Sequence, residues 1–284
     1  MTFNKICKDI KDIKIQGAEA IARAGLKALK LNYSKQAIRK LLSLRPTEPL
    51  LQNSIKNALK FKNLNEGIKN SLKHLNDSEK IISDLSFKII KNAKIIYTHC
   101  HSSTVSNALI NAFKKHKFKV HNTETRPLLQ GRKTAKELLQ HKIEVHMYDD
   151  SAIPEAIQDS DIIMLGADWI NKEGVVNKIG SCTIADLSSH LKKPFYILSD
   201  SWKFSNKKLK LEQRPGKEIW NFKNKNLKII NPAFDLIPKK NIKAIISELG
   251  ILSFKDFVKG CRVKFTGEKK RLANKSFRDY INNL

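Results

Sequence analysis

Apolar residues recur at helical spacing throughout the first third of the chain. The pattern predicts two long amphipathic helices over Ile55–Leu75 and Ile81–Ile90, with shorter helices before them. The segment Arg45–Pro49 interrupts the pattern, because each of its prolines disfavours helical backbone in the residue before it. We therefore expect an N-terminal helical domain over residues 1–92, with Arg45–Pro49 as a loop inside it.

The apolar period changes near Lys94, where short β-branched runs begin to alternate with helical stretches. Crossovers of helix length between such runs favour parallel strands in one sheet. We predict an α/β fold in which the helical domain is followed by a Rossmann-like, mostly parallel sheet with helices on both faces, over residues 93–250. Residues 251–284 are basic and weakly patterned, and we expect a docking helix or a loose tail there. The predicted strands are Lys94–His99, Phe118–Thr123, Ile143–Tyr148, Ile162–Leu165, Phe195–Leu198 and Ile229–Phe234.

Length and cysteine usage limit the class of protein. A chain of 284 residues can bury the core of one large or two modest domains. No apolar run reaches membrane-spanning length and the N-terminus lacks the apolar core of a signal peptide, so we expect a soluble, cytoplasmic protein without a membrane partner. The four cysteines are far apart and form no CxxC pair, which favours reduced thiols over a disulfide framework or a zinc site.

The formal net charge of +27 favours anionic partners. The lysines are spread over nearly every predicted helix, and aromatic residues do not alternate with them in an RNA-reading motif. This distribution is typical of solvated helix faces. It predicts a basic surface, and it does not predict nucleic-acid binding.

A carboxylate follows the fourth predicted strand, at the edge where open α/β sheets bind their ligands. That strand ends at Gly166-Ala167-Asp168, where two small residues allow close approach of the backbone. We expect Asp168 on this edge, with Asn177 and Lys178 in the loop beside it. The alternative is that Asp168 only caps a turn.

The first predicted strand ends in His99-Cys100-His101, shortly before a helix that begins near Val105. A helix N-terminus binds phosphate and lowers the pKa of a thiol, so Cys100 is a candidate reactive thiolate. The alternative is an inert buried cysteine. Because side chains alternate along extended backbone, at most one of the two histidines is expected to face the site with Cys100. Three consecutive residues cannot direct three ligands at one ion, so no metal is predicted here.

A third polar loop follows the second predicted strand, where Arg126, Gln130 and Gly131 occur. An arginine and a glutamine ahead of a glycine that opens a helix describe a loop able to hold an oxyanion. Loops after three separate strands thus carry polar side chains that a purely structural loop would not need.

Short motifs follow one another along the chain in the order IQGAEAIARAGLKAL, RPTEPLLQN, THCHSS, ETRPLLQGRKTA, DSAI, GADWI-x-x-x-GVVNKIGS, PFYILSDSWKF and NPAFDLIP. Their order and spacing resemble the family that unites translation initiation factor 2B α/β/δ-type subunits with two sugar-phosphate isomerases. The resemblance runs from about Ile13 to Gly250. The first two motifs look most like its archaeal ribose-1,5-bisphosphate isomerase branch.

The resemblance implies a catalytic pair. The isomerases of this family carry a catalytic cysteine in the THC segment and a catalytic aspartate in the GAD segment, and the regulatory subunits generally lack the pair. Cys100 and Asp168 match both positions, which favours an enzyme. The substrate contacts expected for this chain are Gln16, Gly17, Ala18, Arg45, His101, Ser102, Arg126, Gln130, Asn177, Lys178 and Lys203.

Two residues depart from the isomerase pattern. Gln16 stands where the isomerases usually carry arginine before glycine, and His101 stands where they usually carry asparagine. Loss of a desolvated charged contact to a phosphate costs on the order of 2–5 kcal/mol. We therefore expect a change of substrate or affinity, or a drift toward a non-catalytic role.

The reaction that the resemblance implies converts ribose 1,5-bisphosphate to ribulose 1,5-bisphosphate, within AMP and nucleoside metabolism. A 1-phosphorylated aldose needs an acid to protonate the ring oxygen and a base to move the C2 proton to C1, and the chemistry requires no cofactor. A desolvated Asp168 with a raised pKa suits the acid, and Cys100 suits the base, with the reverse assignment left open. The residues expected to hold the phosphates are Arg45, Arg126, Lys178 and Lys203.

Two other functions stay open. One is a regulatory subunit that binds a sugar phosphate or nucleotide without turnover and has initiation factor 2 as its partner. The other is 5-methylthioribose-1-phosphate isomerase, which uses the same chemistry with an apolar methylthio group in place of the second phosphate. The resemblance also implies a homo-oligomer, a dimer or a hexamer, assembled through the α/β domain.

Overall fold

The computed structural model describes residues 1–207 and 211–267, and its backbone confirms the predicted α/β fold. Helices alone make up the chain before residue 91, and strands and helices alternate after it. Among the described residues, no helix combines the length and the apolarity needed to cross a membrane. The helices before the sheet are α1 (Phe3–Lys11), α2 (Ala18–Leu31), α3 (Lys35–Leu44), α4 (Pro49–Ala58) and α5 (Leu64–Ile90).

The loop predicted at Arg45–Pro49 is confirmed, since α3 ends at Leu44 and Pro49 is the first residue of α4. The lengths predicted for the next two helices are wrong. α4 ends at Ala58, and α5 then runs unbroken from Leu64 to Ile90.

The physical reasons for this difference are local. The side chain of Asn63 accepts hydrogen bonds from the backbone N–H groups of Asn65 and Glu66, which starts a new helix. Gly67 lies against the end of α4, where a Cβ atom would approach the Ala58 carbonyl oxygen to 2.1 Å. The helix continues past Leu75 because Ser78 and Ile82 stay on its buried face while Asn76 and Asp77 face solvent.

Seven strands form a sheet in the order β10-β9-β7-β4-β1-β2-β3, parallel except for the β9–β10 pair. A second sheet of three antiparallel strands has the order β5-β6-β8. In chain order the strands are β1 (Ile95–Thr98), β2 (Lys119–Thr123), β3 (Glu144–Tyr148), β4 (Ile162–Leu165), β5 (Trp169–Ile170), β6 (Gly174–Lys178), β7 (Phe195–Leu198), β8 (Phe234–Pro238), β9 (Ala244–Ser247) and β10 (Gly250–Leu252).

Five of the six predicted strands are confirmed, and the strand predicted over Ile229–Phe234 is wrong. Ile230 is exposed, and Pro232 has no N–H group to donate to a ladder, so this run forms no strand before Phe234. Phe234 begins β8 of the second sheet. The sixth parallel strand of the large sheet is instead β9, Ala244–Ser247, whose four residues are all buried.

Helices cover both faces of the large sheet, as predicted. Along β4, Ile162 and Met164 join the core on one face, and Ile163 and Leu165 join the core on the other, as the two-residue period of a strand requires. One face packs on α5, α6 (Ser103–Phe113) and α7 (Gln130–Gln140), and the other on α8 (Ile153–Gln158), α9 (Ser181–His190) and α10 (Phe254–Gly267).

The predicted domain boundaries stay predictions, but the packing around them is defined. Ile68 and Leu75 of α5 lie in the helical core, whereas Ile82 and Ile90 lie in the core under the sheet, so one helix serves both parts. Of the extension predicted over 251–284, α10 packs Phe257 and its neighbours into the core. Residues 268–284 lie outside the described part of the chain.

Candidate active site

A cavity of about 190 Å³ lies at the carboxyl edge of the large sheet, beside the start of α2 and the loop before α4. Strand ends β1 and β4 meet there closely, since a Cβ atom on Gly166 would lie 2.6 Å from the Ser102 hydroxyl oxygen. The residues predicted for the site that line this cavity are Gln16, Gly17, Ala18, Arg45, Cys100, His101, Ser102, Gln130, Asp168, Asn177, Lys178 and Lys203.

Arg126 is the predicted site residue that the structure does not bring to the cavity. Its side chain is exposed, and it is absent from the cavity wall. The Asp150 carboxylate fixes the loop by accepting hydrogen bonds from the backbone N–H groups of Thr125 and Arg126, at 2.9 Å and 2.6 Å. The expectation that Arg126 holds a phosphate in this cavity is therefore not supported.

Cys100 is held by its own backbone. Its N–H donates to the Thr125 hydroxyl at 3.0 Å, and its carbonyl accepts from the Thr134 hydroxyl at 2.8 Å. Burial raises the pKa of its thiol to about 12, against a smaller lowering by the charge of Lys178. The predicted lowering by the helix N-terminus is wrong, because α6 begins at Ser103 and desolvation outweighs any dipole effect at Cys100.

Both histidines that flank Cys100 line the cavity with it, so the expectation that at most one would do so is also wrong. That expectation assumed extended backbone, whereas Cys100 has φ of 66°. His99 lies between the Thr123 hydroxyl, 2.6 Å from Nδ1, and the Ile179 carbonyl, 3.0 Å from Nε2. Burial lowers the pKa of His99, so the ring is neutral, with Nε2–H as the donor to that carbonyl.

Asp168 follows β4 and is fixed by its backbone N–H, which donates to the Val176 carbonyl at 3.0 Å. Its side chain is partly buried and lines the cavity. Desolvation raises the pKa of its carboxyl group, as the sequence predicted, while the charges of Lys203, Arg45 and Lys178 oppose the shift. The Lys203 ammonium group is itself held beside it, donating to the Ala167 carbonyl at 2.7 Å.

Asn177 and Lys178 are the last residues of β6, not part of a loop as expected. A turn precedes this strand, in which the Asn171 side chain accepts hydrogen bonds from the backbone N–H groups of Glu173 and Gly174. This turn joins β5 and β6 as an antiparallel pair. The apolar runs on either side of the turn are too short to predict that pairing. The strand carries Lys178 back to the cavity beside Cys100.

The N-terminus of α2 also lines the cavity. Gly17 precedes the helix with φ of 88°, a backbone conformation that suits glycine. The Gln16 side chain donates to the Ile13 carbonyl at 2.8 Å and brings no charge. The free backbone N–H groups at the start of α2 therefore lie at the cavity. The arginine that the isomerase pattern has at the position of Gln16 is missing.

Sequence reasoning missed several charged residues of the cavity wall: Glu48, Lys133, Glu212 and Arg214. Arg214 forms ion pairs with Glu212 and Glu218, and Glu212 also lies 3.3 Å from Arg45. Glu48 stands three residues after Arg45 in the same loop, a signal that could have been used. Glu212 belongs to a stretch without apolar periodicity, so no signal marked it.

A possible set of metal ligands lies elsewhere, away from the cavity wall. Among the described residues, His74, Asp200 and Glu248 bring ligand atoms within 4.8 Å of one another. These groups already bond to protein: His74 Nε2 lies 3.1 Å from Asp200 Oδ1, and Glu248 accepts from the backbone N–H and the hydroxyl of Ser201. They brace α5 against the loops after β7 and β9.

The fold and cavity define a class of proteins in which N-terminal helices and a Rossmann-like sheet enclose a small site lined by acids, lysines and a cysteine. The sequence profile of the initiation factor 2 subunit family matches residues 14–254. The chain belongs to this family, which confirms the resemblance seen in its motifs.

The chain is similar to relatives with different names. Ribose 1,5-bisphosphate isomerase from Methanocaldococcus jannaschii is 36% identical over 275 residues, covering 86% of this chain and 89% of that protein. The translation initiation factor eIF-2B of Pyrococcus horikoshii OT3 has a TM-score of 0.80 at 26% identity, over 88% of this chain and 96% of that one. The 5-methylthioribose 1-phosphate isomerase of the same organism has a TM-score of 0.74 at 23% identity, over 92% and 87% of the two chains, and shows the shared fold.

The raised pKa of Cys100 predicts the pH dependence of its alkylation. Since only the thiolate reacts, the rate of modification by iodoacetamide is expected to rise about tenfold per pH unit from pH 7 to pH 10 without a plateau. Peptide mass spectrometry of Cys100 measures the rate, with the Cys100→Ser variant identifying the peptide. A rate that is already constant above pH 7 would mean that the thiolate is present at neutral pH, contrary to this structure.

Proposed function

We propose that this chain is an aldose–ketose isomerase that converts ribose 1,5-bisphosphate to ribulose 1,5-bisphosphate. The observation that carries the proposal is that the Cys100 thiol and the Asp168 carboxyl group, from different strand ends, line one small cavity together with Lys178 and Lys203. The 36% identity to a protein named ribose 1,5-bisphosphate isomerase supports the choice of substrate.

Asp168 and Cys100 supply the acid and the base. Desolvation favours the neutral form of Asp168, which can then protonate the ring oxygen and open the ring. Cys100 must lose its proton before it takes the proton from C2, and the charge of Lys178 favours the thiolate it forms. Cys100 returns that proton to C1, and the C2 hydroxyl gives its own proton to the Asp168 carboxylate as the ketone forms, which restores the acid. In the reverse assignment the Cys100 thiol is the acid and the Asp168 carboxylate is the base.

The cations of the cavity wall suit a substrate with more than one phosphate. Lys178 and Lys203 flank the catalytic pair and can stabilise the negative charge of an enolate. The start of α2 supplies free amides for a phosphate. The remaining cations on the wall are Arg45, Lys133 and Arg214.

Replacement of either catalytic residue tests the mechanism. Cys100→Ser and Asp168→Asn are each expected to lower kcat by on the order of 10²–10⁴, because each removes a proton-transfer group. The measurement is a coupled assay of ribulose 1,5-bisphosphate formation, with circular dichroism as a check of the fold. Cys182→Ser is the matched control, since Cys182 is a partly exposed cysteine outside the cavity wall, and it is expected to keep full activity.

Wild-type activity in both catalytic variants would remove this mechanism. If the wild-type protein itself isomerises 5-methylthioribose 1-phosphate and not the bisphosphate, the proposed substrate is wrong, and the proposed proton transfers are unaffected. If it isomerises neither sugar and is retained by immobilised initiation factor 2, the regulatory role is favoured.

We also propose a homo-oligomer in the cytoplasm. Exposed apolar side chains support this assembly. They cluster in one segment before β8, where Trp220 stacks on Phe222 with ring centroids 4.5 Å apart.

Light scattering after size exclusion is expected to give a multiple of the chain mass, and Trp220→Asp is expected to lower the measured mass toward that of one chain. Tyr33→Asp, at another exposed aromatic residue, is the control and is expected to cause no shift. A wild-type protein with the mass of one chain would contradict the assembly.

A further inference from the structure

Glu48 is a carboxyl group buried in the wall of the cavity. It is 2% exposed, and its Oε2 atom has no hydrogen-bond partner in the part of the chain that the structure describes. Glu48 occupies the N-cap position of α4, yet its side chain makes no capping hydrogen bond. A buried polar atom without a partner is costly, so its retention on a cavity wall points to a role toward the ligand.

Arg45 is the cation nearest to this carboxyl group. Its Nη2 atom lies 3.6 Å from Glu48 Oε1 and 3.3 Å from Glu212 Oε2. Its Nε atom is buried and has no partner among the described residues. The guanidinium group is therefore flanked by carboxylates but retains a donor for another acceptor, such as a phosphate oxygen.

The other charged groups that face Glu48 come from three further elements. Asp168, after β4, repels a charge on Glu48, and so does Glu212 in the segment before β8. Lys203, in the short helical turn after β7, attracts such a charge, as Arg45 does. A phosphate that enters this corner of the cavity meets the same cations and competes for them with any carboxylate already ionised there.

We propose that Glu48 determines phosphate affinity at Arg45: the neutral acid leaves the guanidinium group available to the substrate, and the ionised carboxylate competes with the phosphate for it. The proposal rests on the proposed function for the class of ligand, a phosphorylated sugar. It assigns to Glu48 a specificity-determining role that is separate from the proton transfers at Cys100 and Asp168.

Titration of Glu48 then governs binding in a defined pH range. Burial raises the pKa of Glu48 to about 8, and the charge of Asp168 adds to the shift. Below that value the acid is neutral, and above it the carboxylate forms. A phosphate monoester has its second pKa near 6, so its own charge is constant above about pH 7.5. A loss of affinity from about pH 7.5 to 9.5 therefore reports on the protein.

The test is calorimetric titration with ribose 5-phosphate, together with kcat and KM for ribose 1,5-bisphosphate, from pH 7 to 9.5. For the wild-type protein, Kd and KM are expected to rise above pH 8, by up to about tenfold per pH unit. Glu48→Gln is isosteric and uncharged, and it is expected to bind tightly with no such rise. Glu48→Ala serves as a second uncharged variant. Glu212→Gln is the matched control, because it removes the other carboxylate beside Arg45 and is expected to retain the rise.

Parallel Kd profiles for the wild-type protein and both Glu48 variants would overturn the proposal. Weaker binding by Glu48→Gln at every pH would also overturn it, since that result would make the carboxyl group a direct ligand contact. Titration of Asp168 is separable, because Asp168 is present in all four proteins, and a rise that it caused would persist in Glu48→Gln and Glu48→Ala. A protein without isomerase activity whose Kd for ribose 5-phosphate still follows this pattern would refute the proposed reaction and support the role of Glu48.

Discussion

Desolvation of the carboxyl group of Asp168 is the interaction on which the account of the site depends. Desolvation raises the pKa of this side chain, and three cations oppose the rise, Lys203 the most strongly. Lys203 is in turn fixed to the Ala167 carbonyl, so acid and cation are held by adjacent backbone. Desolvation thus favours the protonated form of this carboxyl group while the cations favour its release of the proton, and proton transfer requires both.

The fold produces this balance by bringing distant segments together at one sheet edge. The absence of a side chain on Gly166 lets the ends of β1 and β4 approach, which places Cys100 and Asp168 on the same cavity. The second sheet returns Lys178 to that edge. The helical part closes the cavity with the start of α2 and the Arg45 loop, and Trp202 beside Lys203 packs into the helical core. The turn after β7 thus carries both Trp202, which belongs to the helical core, and Lys203, which lines the cavity.

Much of this could be predicted from sequence, because the signals were local. Buried apolar runs marked five parallel strands, and the prolines of Arg45–Pro49 marked a loop. The errors came from tertiary context. Two-residue β5 has no sequence period, and Ile230 is apolar yet exposed. The thiol pKa of Cys100 was expected to fall with a helix dipole, but burial raises it. Glu48 was overlooked because a glutamate in a loop is usually solvated.

Desolvation raises the pKa of the Asp168 carboxyl group above that of an ordinary aspartate. The most direct measurement is an NMR titration of protein labelled with ¹³C at the aspartate side-chain carboxyl groups, with the Asp168 resonance identified by its loss in Asp168→Asn. We expect a midpoint above the ordinary value of 3.8. A midpoint at or below 3.8 would show that the cations dominate, and Asp168 could not then serve as the acid.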